Sequence, residues 1–382
     1  MTAQTVLYGV TVGTSVQTLL RGQLGWLAAQ GWDVHLACSP GPGLDAGAAR
    51  EGCTAHPVRM ARTPSPLRDL GALLAWYRLI RRVRPEVTNV STPKAGLIGS
   101  LAAWLARVPR RIYVIRGLRL EGASGLSRRL LWLTERLTIA LSSEVIVVSR
   151  SLGAVLRGER LLGGTPARLI GDGSSNGVDA AAIAARAAAA DAPELRRRLG
   201  LPADALVVGF VGRLVADKGI GTLLDAVGSA RVPRALLLIG SVDEPSIAAA
   251  LAGCEVPVVH VPWTDDVAPY YACMDVLCLP TLREGFPNVV LEAAAAGVPS
   301  IASDATGAVD AVVHEVTGLT VPVGDATALV EAIDRLGADP GERERFGAAA
   351  AERAQRDYRP ERIWSGVSAA MRGHWTTDTE LV

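Results

Sequence analysis

From residue 6 to residue 321 the chain repeats one pattern: a short apolar run, a Gly-rich or polar turn, then a helical stretch. No other feature limits the fold as much. A strand that returns through a helix to the next strand lies parallel to it, so this alternation builds parallel sheets with helices packed on them. The expected strands of the first half are 6–10, 33–38, 87–90, 111–115 and 144–149. Those of the second half are 206–211, 235–239, 258–261, 276–279, 300–303 and 318–321. At 382 residues the chain exceeds the size at which one hydrophobic core keeps growing. Two doubly wound, Rossmann-like α/β domains are therefore expected. The stretch 171–179, GDGSSNGVD, is rich in Gly, Ser and Asn and marks the boundary, giving domains over 1–172 and 173–359. The alanine-rich run 180–190 beyond it is helix-prone and carries no chemistry of its own.

Charge separates the same two halves. Residues 1–172 hold 22 Lys and Arg against 10 Asp and Glu, a net +12; residues 173–382 hold 17 against 28, a net −11, and together they give the chain's +1. A basic first half suits phosphate groups or an anionic membrane surface. There is no basic tail and no recognisable RNA- or DNA-binding module, so no nucleic-acid partner is expected. No apolar run reaches the ~18 residues of a membrane span. The start MTAQTVLYGV lacks the basic region of a signal peptide, and a cytoplasmic location is expected. The five cysteines, Cys38, Cys53, Cys254, Cys273 and Cys278, are scattered without CxxC spacing, and the five histidines form no HExxH. No metal and no other cofactor is expected. Only two of the 39 cations are lysines, Lys94 in STPKAG and Lys218 in VADKGIG. Lysine is a compact point charge where arginine is a planar fork, so these two are singled out for phosphate contact.

In open α/β sheets ligands sit beyond the carboxyl ends of the strands. After the first expected strand comes GVTVGTSVQTLLRGQL, which is not GxGxxG; its Gly9 and Gly13 allow backbone to approach a ligand. After 206–211 comes GRLVADKG, with Arg213 and Lys218 as two cations for a diphosphate. After 276–279 comes PTLREGFP, which runs into REGFPNVVLE. Proline suits the first helical position, so Pro287 marks a helix start and Gly297 its stop. The free N–H groups and positive dipole end of that helix favour a diphosphate. Glu284 and Glu292 flank the helix start, and carboxylates beside an anion site accept hydrogen bonds from ribose or hexose hydroxyls. An acidic first turn that complements the dipole is the plainer reading of the same two residues.

FVGRL…DKG, EGFPNVVLE and AAAAGVPSIASDATGAVDAVV resemble the donor-domain signature of the retaining glycosyltransferases of family 4. Their GT-B fold sets two doubly wound Rossmann-like domains facing each other across a cleft. SPG, STPKAGLIGSLAA, RIYVIRGLRLEGASG and GSSNGVD are similar to the branch that builds capsular polysaccharide and O-antigen units on a polyprenyl-diphosphate carrier. The resemblance implies a hexosyltransferase moving a hexose or N-acetylhexosamine from a nucleotide-sugar, by family default a UDP-sugar, to a lipid-diphosphate-linked saccharide. It implies that Arg213 and Lys218 hold the donor diphosphate and that Glu292 binds the ribose. Glu284, with the backbone of Gly285, Phe286, Pro287, Asn288 and Val289, would hold the sugar, and Gly13 would approach the diphosphate from the first domain. Many members carry a His-Gly pair at the end of a first-domain strand. Arg116 and Gly117 stand there in this chain, which makes Arg116 a candidate for sugar or phosphate. The segment 360–382 is expected as a helix completing the first domain.

Transfer requires stabilising a leaving diphosphate and an oxocarbenium-like centre, and the two cations with the helix dipole supply the first. Front-face attack is the expected retaining route, with Glu284 orienting the sugar rather than attacking it. On the acceptor side Lys94, Arg119 and Glu121 are candidates beside Arg116. The stretches 73–84 (LLAWYRLIRRVR) and 127–137 (SRRLLWLTERL) combine Trp, Leu and Arg as interfacial helices do, and as ordinary packing helices also do. On the first reading the basic half docks on the inner face of the plasma membrane. A transferase with a soluble natural-product acceptor and a GT-B-fold UDP-sugar epimerase stand as alternatives; a nicotinamide-dependent dehydrogenase is disfavoured by the missing GxGxxG.

Overall fold

The computed structural model describes residues 4–61, 63, 65–375 and 379–381. It divides into two compact units, Met1–Asn176 with Pro360–Val382, and Gly177–Arg359. The first crossing thus lies between Asn176 and Gly177, inside GDGSSNGVD, rather than after 172.

In the first unit β1 (Gln4–Gly9), β2 (Trp32–Cys38), β3 (Thr54–Pro57), β4 (Val87–Ser91), β5 (Arg110–Ile115), β6 (Glu144–Val147) and β7 (Ala167–Ile170) form a parallel sheet ordered β7-β6-β5-β4-β1-β2-β3. In the second unit β8 (Leu206–Val211), β9 (Arg234–Ile239), β10 (Val258–Val261), β11 (Val276–Leu279), β12 (Ser300–Ser303) and β13 (Gly318–Val321) form another, ordered β10-β9-β8-β11-β12-β13. Every residue of β8 and β11 is buried, as strands covered on both faces must be. In each unit the chain winds outward, then doubles back past the unit's first strand. The order therefore reverses between β1 and β4 and between β8 and β11, and these switch points open the crevices where such sheets take ligands.

Each of the expected strands is present. β3 and β7 were not expected, and the reason is compositional. β3 is TAHP, half-exposed and closed by proline, and β7 is the four-residue ARLI; pairing to a neighbour makes them strands, not an apolar run. The expected helix 360–382 is a correction. The helix covers only Pro360–Arg372, and β14 (Thr379–Leu381) follows, pairing antiparallel with β7 at the sheet edge. Residues 376–378 and 382 of that expected helix lie outside the described residues. Two tryptophans tie the helix to the first unit: Trp364 Nε1 donates to Asn176 Oδ1 at 2.8 Å, and Trp32 Nε1 donates to Ser368 Oγ at 3.1 Å. The alanine-rich run forms the helix Ala180–Ala188, capped by Asp179 and packed against the helices Ala268–Tyr271 and Asn288–Ala295.

The helix Gly125–Leu141 turns one acid inward. Glu135 hydrogen-bonds the buried Tyr113 of β5, and burial pushes its carboxyl up to about 7, the Tyr113 hydroxyl pulling the other way. A raised carboxyl contributes stability that is complete below its unfolded value near 4.5 and is lost as pH rises through about 7. Wild type and Glu135→Gln should thus be similar in stability at pH 4.5, and the variant should be the more stable by roughly 2–3 kcal/mol at pH 8. Urea unfolding at the two pH values measures the difference.

Candidate functional site

In the second unit the loops that leave β8, β11 and β12 are drawn together by two glycines. Gly219, at φ +72°, ends the 3-10 turn Ala216–Lys218, and a Cβ there would lie 1.8 Å from the Pro280 carbonyl oxygen beyond β11. Gly307, at φ +77°, lies in the loop after β12, where a Cβ would fall 2.3 Å from the Gly285 carbonyl oxygen. Only a residue without Cβ, comfortable at positive φ, permits either approach. The loops are then cross-linked by charge. Lys218 Nζ is ion-paired with Glu284 Oε1, and Arg283 Nη2 contacts Asp217 Oδ2 at 2.9 Å. The Asp-Lys dipeptide of one loop thus meets the Arg-Glu dipeptide of the other. Backbone bonds complete the seam: Leu282 N donates to Asp217 O at 3.0 Å and Glu284 N to Thr306 O at 2.8 Å.

The helix Asn288–Ala295 starts on this seam. Pro287 is a correction: it is the N-cap, extended at ψ 101°, rather than the first helical residue, and it offers no side-chain cap. The helices starting at Ala326 and Pro340 are capped instead by Asp325 and Asp339. The Asn288 side-chain oxygen is buried without a hydrogen-bond partner. Phe286 is buried on Tyr358, ring centroids 5.5 Å apart, with Gly285 and Pro287 buried on either side of it and Asn288 and Val289 half-buried beyond. Glu292, one turn in, accepts a hydrogen bond from Tyr271 Oη at 2.8 Å. Burial, then the Glu292 charge, raises the Tyr271 phenol well above its ordinary value, so it stays a neutral donor and fixes one Glu292 oxygen. Arg213 is largely exposed, with Asp243 Oδ2 at 3.5 Å, a weak contact that leaves it recruitable.

Lys218, Glu284 and the helix start are thus brought together, with Glu292 oriented close by along the same helix. Tyr271, Asp217 and Arg283 were missed as site residues. The complementary dipeptides Asp217-Lys218 and Arg283-Glu284 were a legible signal for the last two. Nothing marks Tyr271, which ends a four-residue helix and is recognised only by its contact with Glu292.

The first unit changes several assignments. Gly9 does not leave room for a ligand; the Trp76 ring fills the space, 2.5 Å from where a Cβ would stand. Gly13 opens the helix Gly13–Leu19, where a Cβ would fall 2.7 Å from Gly43, so its missing side chain serves helix packing. Lys94 is engaged in structure, its Nζ donating to Asp69 Oδ1 at 2.7 Å and to the Thr63 carbonyl at 2.6 Å. It joins the starts of the helices Pro66–Val83 and Pro93–Leu105 instead of standing free for phosphate.

Arg116, the candidate in the family histidine's place, turns into the unit's interior. Its Nη1 donates to the Ser175 carbonyl beside the first crossing, and burial lowers its guanidinium to about 10 against the opposing pull of Tyr8. Its Nε, with Gln23 Oε1 and Asn89 Nδ2, is buried without a partner; the three residues line one cavity of about 10 Å³, room for about one water. Arg116 therefore anchors the linker in this structure. Arg119 and Glu121 share the 3-10 turn Arg119–Gly122, the arginine exposed and the glutamate partly buried. Among the described residues no group of three or more His, Cys, Asp or Glu side chains is placed to hold a metal ion.

Tyr271→Phe removes one hydrogen bond to a carboxylate and little volume. Its expected effect is a loss of about ten-fold in nucleoside-diphosphate affinity by calorimetry. Unchanged affinity would mean that Glu292 does not take the ribose.

The Glycosyl transferase 4-like domain family matches residues 14–173, and the Glycosyl transferases group 1 family matches residues 205–339. Over 377 residues the chain is 35% identical to the capsular polysaccharide biosynthesis glycosyltransferase CapM of Staphylococcus aureus, covering 97% of each. It is 24% identical over 290 residues to the UDP-Gal:alpha-D-GlcNAc-diphosphoundecaprenol alpha-1,3-galactosyltransferase of Escherichia coli, covering 72% of this chain and 73% of that one. Among solved structures, Anabaena HepE in complex with UDP and glucose matches with a TM-score of 0.79 at 17% identity, over 97% of this chain and 100% of that one, which shows a shared fold. With two parallel-sheet units, a near full-length relative and both family matches, the chain belongs to the group 1, family 4-like glycosyltransferases of GT-B fold.

Proposed function

We propose that this glycosyltransferase moves a hexose or N-acetylhexosamine from a UDP-sugar to a hydroxyl of a saccharide carried on a polyprenyl diphosphate, with retention at the anomeric carbon, in cell-surface polysaccharide synthesis. The observation that carries the donor half is the Lys218–Glu284 contact at the start of a helix with no side-chain cap. It sets a cation for a leaving diphosphate against an acid for sugar hydroxyls. The acceptor half is supported by two relatives, one named for capsular polysaccharide biosynthesis and one for transfer onto a diphosphoundecaprenol-linked sugar.

The bond from C1 to the diphosphate oxygen breaks and its electron pair leaves with the nucleoside diphosphate, whose charge falls on Lys218, on Arg213 and on the first N–H groups of the helix Asn288–Ala295. The acceptor hydroxyl oxygen bonds C1 on the same face, and its proton passes to the leaving phosphate oxygen. A bound diphosphate draws the Lys218 ammonium from Glu284 and releases that carboxylate to the sugar hydroxyls. Donor binding and presentation of Glu284 are in this way one event. The leaving charge is met by protein groups, so turnover is expected to survive chelation by EDTA.

The test offers UDP-sugars with a polyprenyl-diphosphate-linked saccharide, with the same saccharide free of lipid, or with no acceptor. Transfer should require the lipid diphosphate, and the product anomer, read by NMR, should match the donor. Equal turnover on the free saccharide would favour the soluble-acceptor reading, and donor conversion without acceptor would make the protein an epimerase. Glu284→Ala should abolish turnover while nucleoside-diphosphate affinity holds or rises, because the variant frees Lys218 from its partner. Lost affinity would overturn that role for Glu284.

A further inference from the structure

Asp217 and Arg283 lie at the seam and have no part in the reaction proposed above. Asp217 nevertheless grips the loop after β11 at three successive residues. Its carboxylate takes Arg283 Nη2 at 2.9 Å, and its carbonyl accepts from Leu282 N at 3.0 Å and from Thr281 Oγ1 at 3.3 Å. Thr281 is a firm anchor, being fully buried, with its own carbonyl accepting from Ser303 Oγ of β12. The turn Ala216–Lys218 is held from its other end, where Ala216 N donates to Glu244 Oε2 at 3.1 Å. The two residues assigned to the donor are the immediate chain neighbours of this grip: Lys218 follows Asp217, and Glu284 follows Arg283.

A grip separate from the Lys218–Glu284 pair matters because of what a donor does, and here the inference rests on the proposed reaction. A diphosphate takes Lys218 from Glu284, so one of the two ion pairs across the seam opens just when both side chains must be in place. Lysine is a point charge on a flexible stem, and its placing is only as good as that of its backbone. The Asp217–Arg283 pair is not open to the same exchange. Glu284 has sugar hydroxyls to accept in return for the lost ammonium, whereas Asp217 would be left without its cation and facing the incoming anion.

We propose that Asp217 and Arg283 are positioning residues for the transfer: their ion pair keeps Lys218 and Glu284 in register after the donor has parted those two side chains. Asp217→Asn, Arg283→Gln and the double variant are compared with wild type for UDP affinity by calorimetry and for kcat and KM of donor turnover. Each single change should lower kcat by about ten-fold or more, because a shift on the order of 1 Å at reacting groups is costly. UDP affinity should stay within about two-fold, since the Lys218 stem still reaches a bound diphosphate. The double variant should lose no more than either single one, as two groups acting through one contact do. Arg283→Lys keeps the charge for this contact through a single nitrogen and should recover most of kcat. Both side chains are partly exposed, so melting temperatures should barely move. With UDP bound, the Leu282 amide should exchange hydrogen faster in each single variant than in wild type. Unchanged kcat, or losses that multiply in the double variant, overturns the proposal. Weaker UDP affinity in Arg283→Gln beside stronger affinity in Asp217→Asn would make Arg283 a phosphate ligand and overturn it too. If the wild type takes UDP but turns over no donor, the proposed reaction falls, and Leu282 exchange alone decides the role of the pair, equal rates in wild type and variants refuting it. A wild type that takes no UDP removes both.

Discussion

The site depends on two ion pairs, Lys218 with Glu284 and Asp217 with Arg283, that join the loops leaving β8 and β11. Neither loop has regular structure enough to hold its own shape, and the two glycines that bring the backbones close supply no side-chain contact. Charge, together with the Leu282 N–H bond to the Asp217 carbonyl, therefore sets the register of one loop against the other. Partly enclosed pairs suit such a join, because they are screened less than surface pairs and yet are not so deeply buried that desolvation outweighs them. The same arrangement keeps a phosphate-binding cation beside a sugar-binding acid until a diphosphate competes for the cation.

The helix that carries Glu292 is positioned by quite different means. Ala293, Ala294 and Ala295 let it pack closely, Phe286 seals its entry against Tyr358, and the short helix Ala268–Tyr271 supplies the phenol that holds the carboxylate. One acid is thus held by an opposite charge and the other by a neutral donor. That difference fits their separate roles. A carboxylate meant to change partners gains from a competitor's charge, whereas one meant to receive a ribose gains from a fixed orientation.

In the first unit, polar chemistry is spent mostly on construction. Arg116 holds the linker carbonyl, Lys94 joins two helix starts, and Gly13 and Gly43 bring a helix and its neighbour into backbone contact. Inward use of Asp69 and Glu135 has a second effect at the surface, because it strips two helices of outward negative charge. The basic balance of the first half is for this reason more pronounced on that face than composition alone suggests.

By itself the sequence determined the strands of both central sheets and the placing of Arg213, Lys218, Glu284 and Glu292 on loops or helix starts. Strands buried on both faces must be written as unbroken apolar runs, and turns must be written in Gly, Pro and Asp, so both are legible in one dimension. Tertiary structure alone decided β3, β7 and β14, which exist through pairing, and the partners Tyr271 for Glu292 and Ser175 for Arg116. It also decided which face of each amphipathic helix is covered, sending Trp76 inward and leaving Leu130 and Leu133 outside. A long polar side chain reaches several partners, and a helix with two apolar stripes can bury either one. Only packing distant parts of the chain together removes that choice.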